Sequence, residues 1–329
     1  MKVALTGATG FLGLALAERL RAEGQAVTAL VRRTSVPAAR AALLGLGATL
    51  VEGDVTDPAS LLPLVRGADL VVHAAAVIGY RRRLAPPMQR VNVDGTRNLL
   101  EAVRTAGAGR LVHVSSIAAV GISPSRTLLD EDTRWNAGFL CAAYFDTKHA
   151  AEQLVAAAAR DGLDAVIVNP SAIYGPALVP GNSSRLVAQI AAGRLRAAPE
   201  GGINVVPLPT VLDGILAAAR IGQRGRRYIL GGENLELREL VVRVARAAGR
   251  ELRPWPVPSA AAPLLRAAME AVEPLVPASA WFTPDLCAAF GWWLWYDTTR
   301  MTRELGVRVT DLDACLAAAV AQWRRDGRC

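Results

Sequence analysis

The chain has 329 residues, 52% hydrophobic and 20% charged, enough apolar material to build a large core and to exclude disordered and low-complexity classes. Mean hydropathy is +0.27, yet no stretch reaches the roughly 18 uncharged apolar residues of a membrane span. The net charge of +8 is carried by arginines scattered along the chain, with only Lys2 and Lys148 as lysines, a bias read as base composition and not as a nucleic-acid surface.

In chain order, the pattern predicts a buried strand at 3–6 and a helix at 11–22. A strand at 25–31, a helix at 37–44, a strand at 49–52, a helix at 58–65 and a strand at 70–73 follow. The run Arg81-Arg82-Arg83 reads as a solvated loop, and 91–106 as one long helix. A strand at 111–115, a helix at 142–159 and a strand at 165–169 complete the series. Alternating strands and helices imply parallel pairing through right-handed crossovers. The expected fold class is therefore α/β, a doubly wound parallel Rossmann sheet with a smaller, mostly helical C-terminal cap. Residues 1–175 form the dinucleotide-binding domain, with 203–230 returning to it; 176–202 and 231–329 form the cap. Helices are expected at 186–192, 212–221 and 235–248, and a strand at 227–230. Trp255, Trp281, Trp292, Trp293 and Trp295 read as cap core or a subunit contact.

Thr6-Gly7-Ala8-Thr9-Gly10-Phe11-Leu12-Gly13 sets three glycines at i, i+3 and i+6 between the first strand and the first helix. Such glycines permit a tight turn and let backbone approach a pyrophosphate, while the helix amides face the anion. The end of the second strand discriminates between dinucleotides. An NAD site places an acidic residue there, whereas this chain has Val31-Arg32-Arg33. The Arg32 guanidinium suits a 2′-phosphate, so NADP(H) is expected ahead of NAD. Asp54, followed by Val55, is placed to accept from the adenine amino group. Ala74-Ala75-Ala76 is small enough to let the cofactor cross the sheet edge.

Ser115-Ser116 ends the fifth strand, and Tyr144-Phe145-Asp146-Thr147-Lys148 opens the next long helix. Tyrosine and lysine four apart share one helix face. A phenol titrating near 10 is a poor acid at neutral pH, and a neighbouring ammonium brings it nearer to working range. A serine hydroxyl can orient the substrate oxygen. That one of two lysines stands here points to ammonium chemistry.

Taken together, Gly7-xx-Gly10-xx-Gly13, Asp54, Asn92-Val93-Asp94-Gly95-Thr96, Val114-Ser115-Ser116, Tyr144-xxx-Lys148 and Asn169-Pro170-Ser171-Ala172-Ile173-Tyr174-Gly175-Pro176 resemble the extended short-chain dehydrogenase/reductase superfamily, the NAD-dependent epimerase/dehydratase family. Within it the chain is similar to dihydroflavonol-4-reductase-like, 3β-hydroxysteroid-dehydrogenase-like and bacterial hopanoid-associated epimerase-like proteins. The motifs cover residues 1 to about 250, including Arg227 to Asn234. The resemblance implies Tyr144 as acid–base, Lys148 on the nicotinamide ribose and Tyr144, and Ser116 on the substrate oxygen. Pro170 and Ile173 would line the nicotinamide, and a homodimer through 91–106 and 142–159 is implied. Two departures stand out. Relatives carry arginine where this chain has Asn169, so a local salt bridge is expected to be missing. Their His/Tyr-Val-Asp-Asp segment is replaced by Val206-Pro207-Leu208-Pro209-Thr210. Asn92 is a structural candidate, and His73, His113 and His149 read as strand and helix residues.

The first functional expectation is an NADP(H)-dependent oxidoreductase that reduces a ketone or aldehyde, or oxidises the alcohol. The alternative is a nucleotide-sugar epimerase using bound NAD(P). A 4,6-dehydratase is disfavoured because Ile117-Ala118 replaces the acidic pair of that pattern. A catalytically silent cofactor-binding protein is disfavoured because both Tyr144 and Lys148 are kept. The expected partners are a small carbonyl or alcohol substrate and a second copy of the chain, without nucleic acid, membrane span or metal. Cys141, Cys287, Cys315 and Cys329 lie far apart and read as free thiols of a reducing compartment, and a cytoplasmic location is expected.

Overall fold

The computed structural model describes residues 1–176, 178–179, 181–272, 283 and 287–325. The predicted Trp281 and Cys329 lie outside the described residues. The first half alternates as expected: β1 (Lys2–Thr6), α1 (Phe11–Ala22), β2 (Ala26–Val31), α2 (Pro37–Gly45), β3 (Thr49–Glu52), α3 (Pro58–Val65) and β4 (Leu70–His73). After a connecting segment come α4 (Ala85–Met88), α5 (Gly95–Ala106), β5 (Arg110–Val114), α6 (Ala143–Arg160), β6 (Ala165–Pro170) and β7 (Ala172–Tyr174). The chain continues through α7 (Asn182–Ala191), β8 (Ala197–Pro199), β9 (Gly202–Pro207), α8 (Leu208–Ile221), β10 (Arg227–Leu230) and β11 (Glu233–Glu236). It ends with α9 (Leu237–Ala247), β12 (Trp255–Val257), α10 (Ala262–Val272), β13 (Trp293–Leu294), α11 (Thr299–Leu305) and α12 (Leu312–Arg325).

Seven parallel strands form the main sheet in the order β10-β6-β5-β4-β1-β2-β3. The order reverses at β1, so a crevice opens beyond the strand carboxyl ends between β1 and β4. Strands covered on both faces must be apolar throughout, and Leu70, Val71, Val72 and Val112 are buried accordingly. One face packs Leu5, Leu16, Leu20 and Leu43 against Val211 and Ile215 of α8. The other packs Ala4, Leu61, Leu64 and Val71 against Leu99, Val103, Val155 and Ala158. Each fully buried leucine contributes about 1.5–3 kcal/mol.

Three sequence expectations need correction. In the run Arg81–Arg83 only part of the solvated-loop expectation fails: Arg82 and Arg83 are exposed, but Arg81 is buried, residues Arg82–Leu84 form a 3-10 turn, and Arg82 pairs with Glu270 at 2.6 Å. The helix expected at 91–106 starts earlier, with α4 leading through a π-helical stretch at Gln89–Asp94 into α5. The return to the main sheet begins at α8, not at residue 203, because Gly202–Pro207 pairs antiparallel with β11 and parallel with β7 and β13 in a second sheet. The C-terminal region around α7, α9 and α12 is otherwise helical, packed on its own apolar cluster. No helix among the described residues is long and apolar enough to cross a membrane.

Candidate active site

The turn between β1 and α1 leaves no room for side chains. Gly7 has φ +72°, and a Cβ there would lie 2.5 Å from the Ala74 carbonyl carbon. A Cβ on Gly13 would lie 2.1 Å from the Gly7 oxygen, and Gly10 N donates to that same oxygen at 3.0 Å. Gly10 caps α1 without a side-chain bond, and no acid stands in the first turn. The amides of Phe11, Leu12 and Gly13 have no intrahelical acceptor, so the helix dipole opens onto the crevice. This is a cradle for an anion that backbone can touch.

The adenosine side is built around the turn after β2. Ser35, which the sequence reading missed, is buried. Its hydroxyl accepts from Arg32 N at 3.1 Å and lies 3.4 Å from Thr9 Oγ1. Arg33 donates to Glu52 at 3.1 Å, and Arg40 reaches the same carboxylate at 3.6 Å. Arg32 is exposed and makes no ion pair among the described residues. The structure thus distinguishes the two adjacent arginines: Arg33 pairs with Glu52 at the surface, sharing that carboxylate with Arg40, while Arg32 makes no ion pair among the described residues. Asp54 turns one carboxylate oxygen onto Thr56 N and Oγ1, at 2.9 and 2.8 Å, while Val55 is buried behind it. Ala74, Ala75 and Ala76 are half-buried just beyond β4, and Ala75 N donates to Thr6 Oγ1 at 3.2 Å. Pro170 ends β6 in full burial, and Ile173 sits on β7 facing the main core.

Ser116 begins the 3-10 turn Ile117–Ala119 after β5, its hydroxyl accepting from Ala118 N at 3.2 Å. Tyr144 and Lys148 lie one turn apart on the buried face of α6. Burial pushes the Tyr144 phenol up from its ordinary pKa, and the Ser116 hydroxyl opposes that rise. Lys148 Nζ donates to the Val114 carbonyl at 2.8 Å. Burial brings the ammonium down to about 8, with Glu152 opposing the shift. Neutral imidazoles stand nearby: His73 is pushed down to about 3 by burial and then by Lys148, and His113 is lowered for the same reasons. His73 is fixed between Thr6 Oγ1 at 2.7 Å and Thr96 Oγ1 at 3.0 Å. Asn92 spans Val77 N and O and Thr147 Oγ1, joining the loop after β4 to α6.

Around the phenol the walls are apolar and aromatic. Tyr80 meets the Tyr144 ring edge-on, 5.9 Å between centroids. Met88, Ile122, Leu140, Trp292 and Leu294 complete this cluster. The salt bridge expected to be missing at Asn169 is present in another form. Arg227, on the neighbouring strand, reaches Glu152 at 3.1 Å, and Asn169 Nδ2 donates to the same carboxylate at 2.6 Å. The sequence reading missed both Glu152 and Arg227. A signal existed, since Tyr144, Lys148 and Glu152 are spaced i, i+4, i+8 on one helix face.

The comparisons with known proteins agree with this architecture. The model of the family described as NAD dependent epimerase/dehydratase matches residues 3–214. The chain is 34% identical to sterol demethylase protein B of Methylococcus capsulatus, covering 99% of both chains. It is 31% identical to 2-alkyl-3-oxoalkanoate reductase of Stenotrophomonas maltophilia, over 93% of this chain and 94% of that one. The structure of a nucleoside-diphosphate-sugar epimerase from Pseudomonas aeruginosa superposes with a TM-score of 0.82 at 25% identity, covering 100% of this chain and 99% of the other. With its glycine turn, its seven parallel strands and matches of this extent, the chain belongs to the NAD dependent epimerase/dehydratase family, a group of nicotinamide-dinucleotide-dependent enzymes within the extended short-chain dehydrogenase/reductases.

Proposed function

We propose that the protein is an NADP(H)-dependent reductase of a hydrophobic ketone or aldehyde, able to run the alcohol oxidation in reverse. The observation that carries this reading is the buried Tyr144 phenol, with the Ser116 hydroxyl beside it and Lys148 one turn further along α6. A phenol whose pKa is raised by burial carries its proton at neutral pH, which suits it to donate to a substrate oxygen. Ser116 gives that oxygen a second hydrogen bond and orients it. Charge developing on Tyr144 is balanced by the Lys148 ammonium.

A dinucleotide suits the residues present. The pyrophosphate would lie on the amides of residues 9–13, the adenine near Asp54 and Val55, and the nicotinamide between Ala74–Ala76, Pro170 and Ile173. Lys148 would hold the nicotinamide ribose. When bound, the nicotinamide exchanges a hydride with the carbonyl carbon. Arg32, free beside the Thr9–Ser35 pair, supports a 2′-phosphate and hence NADP(H). The aromatic wall of Tyr80 and Trp292 supports an apolar substrate, in keeping with the names of the sterol and 2-alkyl-3-oxoalkanoate relatives. The epimerase alternative is favoured by the Pseudomonas structure. It is answered by the same experiment: NADPH consumption measured against a panel of apolar ketones, with nucleotide sugars alongside. Stoichiometric oxidation of NADPH by a ketone supports the reductase. Interconversion of nucleotide sugars without net NADPH consumption would replace it with the epimerase.

A further inference from the structure

α6 lays Tyr144, Lys148 and Glu152 along one buried stripe. The mechanism above uses the first two and leaves the third, a carboxylate whose side chain is only 2% exposed. A charge that deep persists only when paired and hydrogen-bonded. Glu152 has partners from three separate segments. Ser115 Oγ and Asn169 Nδ2 donate to Oε2 at 2.5 and 2.6 Å, and Arg227 Nη1 donates to Oε1 at 3.1 Å.

Those partners hold something further. Asn169 Nδ2 also donates to the Ser116 carbonyl at 3.0 Å. Arg227 donates to the Ala119 carbonyl at 3.5 Å, to Thr133 O at 2.8 Å and to Glu131 O at 2.6 Å. At the far end Tyr296 OH donates to Gly121 O at 2.6 Å. The Ser115 side chain and the carbonyls of 116 and 119 are therefore all gripped by one ion-pair network, with Glu152 buried and Arg227 partly exposed. The turn's own bonds are the Ser116 Oγ cap from Ala118 N and two 3-10 bonds of the weaker i→i+3 type, from Ala119 N to Ser116 O and from Val120 N to Ile117 O. Trp135 Nε1 and Tyr296 OH donate to the Ala118 and Ile117 carbonyls between the clamped positions.

We propose that Glu152 and Arg227 are positioning residues for Ser116: a carboxylate on α6 and a guanidinium on β10 clamp residues 115–119 against the helix that carries Tyr144. The inference rests on the reading that Ser116 binds the substrate oxygen. Glu152 is the member common to both sides, sharing a helix with the phenol and bonds with the serine loop. It thereby fixes the distance between the two hydroxyls that must meet one oxygen. Misplacement by about 1 Å at a reacting centre is enough to cost on the order of 10²-fold in rate.

A cleft of about 520 Å³, lined by Arg227, Glu152, His149, Trp135 and Arg300 among others, reaches the clamp from solvent. Water can therefore enter the space left by a shortened Arg227, so Arg227→Met is expected to fold. Arg227→Lys serves as the second variant, keeping the charge on Glu152 while giving up the fork to the 131 and 133 carbonyls.

The test is a double-mutant cycle with a structural readout beside it. Arg227→Met should lower kcat for the best ketone at least tenfold in the parent, but less than twofold in a Ser116→Ala background. The Kd for NADPH should stay within twofold throughout. Arg227→Lys should fall between parent and Arg227→Met. Independently of any substrate, amides 117–121 should exchange hydrogen at least tenfold faster in Arg227→Met and Glu152→Gln, with β1 to β4 unchanged. Equal kinetic losses in both backgrounds, or unchanged exchange at 117–121, would overturn the clamp. Parent turnover in Ser116→Ala with accelerated exchange would instead overturn the role of the serine and leave the clamp standing.

Discussion

At the end of β2, Glu52 takes Arg33 and leaves Arg32 free, so cofactor choice is tested at one side chain. NADP(H) should bind at least tenfold tighter than NAD(H) in a calorimetric titration, roughly 1.4 kcal/mol, and Arg32→Asp should reverse the order. Equal affinities in the parent would refute the assignment. Lys148 offers a second test, because the chain has only one other lysine, Lys2. In the cofactor-free protein, the ¹³Cε resonance of Lys148 should titrate with a midpoint near 8, brought down from 10.5 chiefly by burial. Glu152→Gln should lower it further, because the carboxylate that favours the ammonium is gone. The stability linkage has a definite sign. Below pH 8 the lysine is charged in both states and its desolvation cost is fully present. Between about 8 and 10.5 only the unfolded chain holds the proton, so this group's contribution to stability rises with pH. A midpoint above 10 would contradict the buried position. That Tyr144 and Lys148 share the buried face of α6 was legible in the sequence because the two stand one helical turn apart. The bond from Arg227 to Glu152 was not, since it crosses 75 positions of chain and depends on the register that sets Arg227 beside Ile167.

Elements with strong local signals were read to within a residue or two: α1, α3, β3 and β10 have the boundaries expected from their patterns. The sequence pattern places no helix ahead of residue 91, yet Pro86 and Pro87 sit in the first turn of α4, where no intrahelical N–H is needed. The π-helical stretch that follows shifts the apolar period, hiding the continuity of the helix while placing Asn92 on Val77 and Thr147. The segment expected to return to the main sheet from about residue 203 opens with β9, an apolar run whose length fits either sheet. Its partners β7, β11 and β13 are set by tertiary packing. The β1–α1 turn makes a prediction at this scale. A methyl group on Gly13 would press on the backbone of the cradle itself. Gly13→Ala should therefore weaken NADPH binding at least tenfold and lower Tm, while the far-ultraviolet circular dichroism stays near that of the parent. Unchanged cofactor affinity would show that the cradle does not carry the pyrophosphate.

At the scale of the whole molecule, the main sheet and its helices bring the proposed catalytic groups together at the carboxyl end of β5 and the first turns of α6, and Leu294 of β13 in the second sheet packs in the apolar cluster around Tyr144. Ala150 and Ala157 of α6 remain partly exposed, small residues suited to close helix packing with a second copy. A homodimer of twice 34.7 kDa is the expected outcome of light scattering across micromolar concentrations, and a monomer mass throughout would contradict it. The central claim is that Tyr144 protonates the substrate oxygen. Removing one hydroxyl while keeping the ring tests it most directly: ketone-dependent NADPH oxidation by the parent and by Tyr144→Phe, at matched cofactor saturation. The account predicts intact cofactor binding and turnover lower by about 10²-fold or more, in line with general acid catalysis. Turnover within a few fold of the parent would contradict it.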